Sequence, residues 1–261
     1  EKEHNPQAFR IAIDERNNFQ LADGLVYVCE PMRRIVGGEF GLEQPSIVLP
    51  SYVPRGFYRI DFSEWVGGLV YEGRIDSHDE LPAKWRAFFQ YADYLELAAK
   101  LQDIGMDFHI YTPREDEKIR EQYAKVCTLH EPQRFDKLIK KLGGHDWGLV
   151  GNLHKHTEWK NALPNKLFEY MAACLPIVSM NAEESSRIVD EYGVGITVDS
   201  PEELAGRWRE HRACRANVIR HRMRFTMESH IHEVEKLYAQ VIEAARPMAA
   251  VVPIRDSHAR G

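Results

Sequence analysis

Short apolar runs rich in Val, Ile and Tyr recur along this 261-residue chain, and most lead into a stretch with helical periodicity. They fall at residues 25–29 (LVYVC), 46–50 (SIVLP), 68–73 (GLVYEG), 107–112 (DFHIYT), 125–130 (KVCTLH), 147–151 (WGLVG), 176–180 (PIVSM) and 195–198 (GITV). None alternates strictly between apolar and polar, which is how strands buried on both faces read. Helical patterns follow at 116–123, 133–142, 165–174, 183–192 and 201–209. An amphipathic segment covers 88–104, and a last helix is expected from about 217 to 245. Strands alternating with helices of this length imply right-handed βαβ units. The expected fold class is therefore α/β: a doubly wound, Rossmann-like parallel sheet.

Ligands of such sheets sit beyond the carboxyl ends of the strands, at helix N-termini. That rule narrows the functional search to Gly73 and Arg74, the 112–114 turn opened by Thr112, residues 130–132 with His130 and Glu131, and the 152–165 loop. The pattern is interrupted by Pro and Gly at 52–59, an expected boundary, and residues from 246 on read as a poorly ordered end.

Composition trims the function classes. Lys+Arg is 34 against Asp+Glu 40, a net charge of −6, the opposite of a general nucleic-acid binder. No apolar run reaches the roughly 18 residues of a membrane span, and no signal peptide opens the chain. Cys29, Cys127, Cys174 and Cys214 form no C-x-x-C pair, which fits reduced thiols in the cytoplasm. No H-E-x-x-H, P-loop, G-x-S-x-G or G-x-G-x-x-G occurs, so zincin, NTPase, serine hydrolase and dehydrogenase readings fall away. His154, His156 and Glu158 could be argued as zinc ligands, but their segment reads as a solvated loop without a clear third ligand. Seven arginines (207, 209, 212, 215, 220, 222 and 224) crowd the region before and within the last helix. They read as a solvated basic face that could meet anionic lipid.

The most informative stretch is 163–179, LPNKLFEYMAACLPIVS. Pro164 and Asn165 signal a helix start, with Asn165 the expected N-cap. Leu167, Phe168, Met171 and Ala172 share one side, while Lys166 and Glu169 share another. A helix N-terminus favours an anion, and Lys166 adds a full charge beside it. A carboxylate one turn deeper can accept two hydrogen bonds from a ribose diol. Together these describe a nucleoside diphosphate site; a capped surface helix with a Lys–Glu pair is the competing reading. In 68–75, Gly73 ends a strand and lets backbone approach a ligand, and Arg74 stands where a phosphate would be.

The succession GLVYEGR, DFHIYT, KVCTLHEP, HDWGLV, LPNKLFEYMAACLPIVS and YGVGITV resembles the C-terminal, donor-binding half of a retaining nucleotide-sugar glycosyltransferase of the GT-B fold, group 1 or family 4-like. Residues 22–54 likewise resemble the end of such an enzyme's N-terminal domain and its linker. The resemblance implies an acceptor-domain remnant and linker at 1–55, a nucleotide-sugar domain at 56–228, and a C-terminal helix and tail at 229–261. It places Glu169 at the second Glu of the family's E-x7-E motif, the ribose ligand, and Asn161 at the first, where this chain departs from the pattern. Arg74 matches the phosphate-binding arginine, and Lys84 or Arg86 the lysine that follows it. Residues 130–132 match the loop framing the nucleobase, and Pro164, Asn165, Lys166 and Leu167 the turn over the diphosphate.

The implied activity is sugar transfer from a nucleoside diphosphate sugar to an acceptor hydroxyl with retained configuration. Arg74 and Lys166 are the implied catalytic residues, stabilising the leaving diphosphate with neither metal nor cofactor. The implied partners are the nucleotide sugar and a glycan, lipid-linked sugar or small-molecule acceptor. The expected location is the cytoplasm, with peripheral contact at the inner face of the membrane an open alternative. The stretch before Ala22 is too short for a facing Rossmann domain and residue 1 is Glu, so the chain is expected to be a truncated piece or one that has lost that half. A nucleotide-sugar epimerase and a non-catalytic nucleotide-binding module are the alternatives.

Overall fold

The computed structural model describes residues 16–59, 64–77, 79–80, 90–113 and 116–249. The chain divides into two compact units, residues 1–49 with 230–261, and residues 50–229. The smaller is built on one βαβ turn. Strands β1 (Leu25–Tyr27) and β2 (Ser46–Val48) pair in parallel, Leu25 opposite Ser46. Helix α1 (Glu30–Phe40) crosses between them, with Pro at its start and Gly41 in the left-handed conformation at its end, the expected Pro-start, Gly-stop asymmetry.

Among the described residues, the larger unit holds six strands: β3 (Leu69–Glu72), β4 (Phe108–Tyr111), β5 (Thr128–His130), β6 (Trp147–Gly151), β7 (Ile177–Met180) and β8 (Gly195–Val198). They pair in parallel in the order β5-β4-β3-β6-β7-β8. This is the doubly wound order whose direction reverses between β3 and β6, and such a fold opens its ligand crevice at that reversal. All residues of β4, β6 and β7 are buried, which explains their unbroken apolar runs. The connecting helices are α2 (Leu95–Asp103), α3 (Glu117–Tyr123), α4 (Phe135–Leu142), α5 (Thr157–Asn161), α6 (Asn165–Ala172), α7 (Glu183–Tyr192), α8 (Pro201–Arg207) and α9 (His211–His221). The largest wholly buried side chains are Trp147, Tyr94, Tyr123, Tyr170 and Phe168; burying a large apolar side chain contributes about 1.5–3 kcal/mol.

Two sequence expectations need correction. The segment 88–104 is not one helix: Gln90–Ala92 is a 3-10 turn, α2 begins at Leu95, and 88–89 lie outside the described residues. The last helix is also broken. After α9 the chain makes a 3-10 turn at Arg222–Phe225, Thr226 is extended (φ −87°, ψ 148°), and α10 (Met227–Ala249) starts afresh. Tertiary contacts cause the break. The buried Arg222 guanidinium donates to the carbonyls of Arg59 (2.6 Å) and Ala172 (3.3 Å), and Phe225 packs against Tyr192.

Candidate functional site

Helix α6 begins immediately after Pro164, whose φ of −75° and ψ of 149° make it the N-cap, so Asn165 is the first helical residue rather than the cap. A proline cannot cap through its side chain, and no side chain caps the first turn of α6. Such a terminus presents backbone N–H groups and the positive end of the helix dipole. Leu167, Phe168, Met171 and Ala172 are wholly buried and fix the helix to the sheet. Leu167 therefore spends its side chain on the core, and its N–H bonds Pro164 O at 3.2 Å. Tyr170 lies over β6 where Gly148 makes room: a Cβ there would stand 2.6 Å from the ring.

Strand β3 ends beside this helix. Gly73 has φ +130°, a conformation that disfavours any side chain, and a Cβ on it would lie 3.7 Å from the Lys166 ammonium. Arg74 Nε donates to the wholly buried Asp76 carboxylate at 2.6 Å, which fixes an otherwise half-exposed guanidinium next to the Gly73 turn. Lys166 Nζ stands over the rings of Tyr71 (5.0 Å) and Trp159 (5.4 Å), within range of a cation–π attraction. Burial opposes its charge, but Tyr71, Glu72, Glu169 and Tyr91 outweigh that and hold its pKa above the ordinary lysine value.

Glu169 lies one turn deeper, within electrostatic reach of Glu72, the last residue of β3. Burial, then the neighbouring Glu72 carboxylate, push its pKa up to about 8 against the pull of Lys166. Behind the turn runs a ladder of tyrosines. Tyr71 Oη donates to Arg74 O (3.0 Å), Tyr94 Oη to Gly151 O (3.2 Å) and Tyr123 Oη to Asp76 O (2.8 Å). Gly73, Arg74, Lys166, Asn165 and Glu169 thus converge where the sheet order reverses.

Other expected residues lie differently. Thr112 is buried. His130 is stacked on Tyr111 (4.3 Å) and its ring is bonded to His109 (3.1 Å), so its side chain is engaged within the fold. Glu131 is exposed and paired with Arg120 at 2.7 Å. Asn161 donates to Thr157 O at 3.3 Å, back onto its own helix. Lys84, Arg86 and Arg114 lie outside the described residues. His154 pairs with Glu96 at 2.8 Å, and among the described residues no group of three or more His, Cys, Asp or Glu is placed to hold a metal. The arginines do not form one basic face: Arg207 pairs with Glu210, while Arg215 and Arg222 bond backbone carbonyls.

Sequence reasoning missed Glu72, Tyr71 and Trp159. Its one available signal was the carboxylate at the end of an otherwise apolar strand run. A recess of about 620 Å³ lies elsewhere on the unit, lined by Lys155, Lys160, Arg187, Asp190 and Asp199 among others. Its cations are matched by acids and it holds no residue of α6 or the Gly73 turn, so the chemistry favours the α6 mouth.

A family model described as glucosyltransferase 3-like, C-terminal domain, matches residues 89–226, more than half the chain. The chain belongs to that family. Its fold is shared with solved glycosyltransferases and is that of the C-terminal half of a GT-B enzyme. Sucrose-phosphate synthase from Thermosynechococcus elongatus aligns with TM-score 0.64 at 12% identity over 94% of this chain and 65% of its own. AviGT4, a glycosyltransferase involved in avilamycin A biosynthesis, gives 0.57 at 15% over 84% and 64%. The pneumococcal O-GlcNAc transferase GtfA, solved with UDP and GlcNAc, gives 0.56 at 13% over 88% and 47%. At these identities the likeness is one of fold, and the chain spans about half to two thirds of those proteins' length. No curated protein matches. Among the described residues of this glucosyltransferase 3-like chain, no helix is long and apolar enough to cross a membrane.

Proposed function

We propose that this chain is the donor-binding half of a glycosyltransferase that moves a sugar from a nucleoside diphosphate sugar to an acceptor hydroxyl with retained configuration. One observation carries the reading: the Gly73–Arg74 turn and the uncapped α6 terminus bring two cations and a helix dipole to the crevice of a doubly wound sheet. In this reading the diphosphate lies at the Gly73 turn, met by Lys166, Arg74 and the α6 N–H groups. These same groups stabilise charge growing on the leaving diphosphate. Glu169 accepts the ribose hydroxyls, so its removal weakens donor binding more than the chemical step. Family membership supports transfer over the epimerase and the non-catalytic module.

A UDP-sugar is the first donor to test, because the GtfA relative holds UDP. The acceptor is a glycan, a lipid-linked sugar or a small molecule, met by a facing domain. The cytoplasm suits the thiols of Cys127, Cys174 and Cys214, and the exposed Arg209, Arg212 and Arg220 suit a peripheral contact with anionic lipid. Calorimetry of UDP, GDP and ADP against the chain and its Lys166→Ala variant tests the reading. Saturable binding of one of them, weakened in the variant, supports it; equal binding to both proteins sinks it.

A further inference from the structure

The recess of about 620 Å³ carries many charges, and they cancel. Lys155, Lys160 and Arg187 line it with Glu183, Asp190 and Asp199, three charges of each sign. A polyanion gains little net attraction from such a wall. The hydroxyls of Thr157, Ser186 and Thr197 add groups that can both donate and accept. Among the described residues Ala182 is its one apolar side chain, whereas a protein-docking surface centres on aromatic or aliphatic anchors.

Bonds within the fold hold these walls in place. Asn181, which follows β7, has φ +53°, a backbone region that asparagine enters more readily than most residues. Its side-chain amide donates to the carbonyls of Asn152 (3.0 Å) and Leu153 (2.8 Å), fixing the loop that leads to Lys155. Thr197 Oγ1 donates to Asp190 at 3.0 Å, tying β8 to α7, and Ser186 Oγ pairs with the buried Ser179 of β7 at 2.9 Å. Lys160 of α5 stands 3.9 Å from Glu183 of α7. The exposed Lys155 ammonium and Asp199 carboxylate have no hydrogen-bond or ion-pair partner among the described residues.

The recess lies on the same edge of the sheet as the Gly73 turn. Asn181 and Asp199 follow the carboxyl ends of β7 and β8, as Gly73 follows β3. Helix α5 joins the two places: Lys166 Nζ stands over its Trp159, while its Thr157 and Lys160 line the recess. A sugar hydroxyl both donates and accepts, so a ring of hydroxyls matches donors and acceptors interleaved at zero net charge. Recesses of roughly 300–1,000 Å³ hold ligands of small-molecule size. We propose that this recess is a saccharide subsite: it holds an uncharged sugar unit of a glycan acceptor, with Asp199 accepting from its hydroxyls and Lys155 donating to them, while the reacting end stays with the facing domain. The acceptor role rests on the donor-binding reading above; the sugar binding itself does not.

The test is an amide chemical-shift titration of the labelled chain with glucose, N-acetylglucosamine and maltose, each alone and again with UDP, GDP or ADP present. At least one sugar is expected to move Lys155, Asn181 and Asp199 with saturation, and with the same affinity whether or not nucleotide is bound. Asp199→Ala and Lys155→Ala should each weaken that binding about three- to tenfold and leave the melting temperature unchanged. Sulfate is the charge control. No saturable sugar response at these residues, with or without one to sulfate, overturns the inference. So does a sugar response that nucleotide abolishes, or one that both variants leave intact. In each of those cases nucleotide shifts at Gly73 and Lys166 leave the donor site standing. If sugars bind the recess and no nucleoside diphosphate binds the chain, the donor reading falls and the acceptor role falls with it.

Discussion

Two titratable clusters lie in the larger unit, and they do opposite things. Around the end of β3, Lys166 and Glu169 keep a cation and a carboxyl of raised pKa next to the left-handed Gly73. The other cluster joins His109, His130 and His145. His109 Nδ1 meets His130 Nε2 at 3.1 Å, and His145 Nδ1 donates to Gly67 O at 2.7 Å, while its buried Nε2 meets no partner. Burial, opposed in His145 by the Gly67 bond, pushes His145 down to about 4 and lowers His109 and His130. Burial is the largest cause in both clusters, so a displaced pKa does not by itself mark a site. What separates them is the uncapped α6 end beside Lys166 and Glu169; the histidines meet one another's rings, Tyr111 and the Gly67 loop carbonyl, with Arg215 and Lys141 nearby.

The largest effect that sharpens this contrast is expected from Lys166→Ala. Losing a charge-assisted contact to the diphosphate costs about 1.5–3 kcal/mol, roughly 10- to 100-fold in affinity. Equilibrium dialysis with a radiolabelled nucleoside diphosphate checks it, with His145→Gln as the control that lowers stability and spares binding. Glu169→Ala is expected next, at roughly tenfold, by analogy with the net value of about one or two hydrogen bonds. A 2′-deoxynucleotide should lose much of the same affinity against wild type, but little more against the variant.

Stability against pH follows from the two clusters with opposite signs. The histidines are neutral in the fold with lowered pKa values. Below about pH 6.5 the unfolded chain takes up more protons, and stability falls as pH drops. Glu169 is raised, so its contribution is fully present below the unfolded carboxyl value near 4.3 and is lost as pH rises through about 8. Where the windows overlap three histidines outweigh one carboxyl, and thermal melts should show a maximum near pH 6.5. A plateau from 6.5 to 8 would remove the Glu169 half of the comparison. The smallest effect belongs to the rim: Glu131→Gln breaks an exposed pair with Arg120 and should shift affinity and stability by less than about 0.5 kcal/mol. Chelation with EDTA is expected to leave nucleotide affinity unchanged.

The sheet was readable in one dimension because strands buried on both faces carry continuous apolar runs, and every such run from 68 on contains a strand of the larger unit. Lys166 and Glu169 were readable because they share a helix. Glu72 was not: its meaning comes from a residue 97 positions later, and a carboxylate at a strand end ordinarily reads as solvated. Trp159 and Tyr71 look like packing until Lys166 is laid across them. The break at 222–226 escaped notice because helical periodicity continues through it, while a buried arginine and Phe225 impose the turn from outside. Asn165 is a strong capping residue by type, but Pro164 starts the helix one position earlier.

The central claim is that the α6 mouth and the Gly73 turn grip a nucleoside diphosphate. Amide chemical-shift mapping tests it most directly: UDP, GDP or ADP added to the labelled chain should move Gly73, Arg74, Asn165 and Lys166 most, with saturation. Shifts centred on the recess lined by Lys155, Lys160 and Asp199, or no saturable shifts with any of the three, would contradict the account.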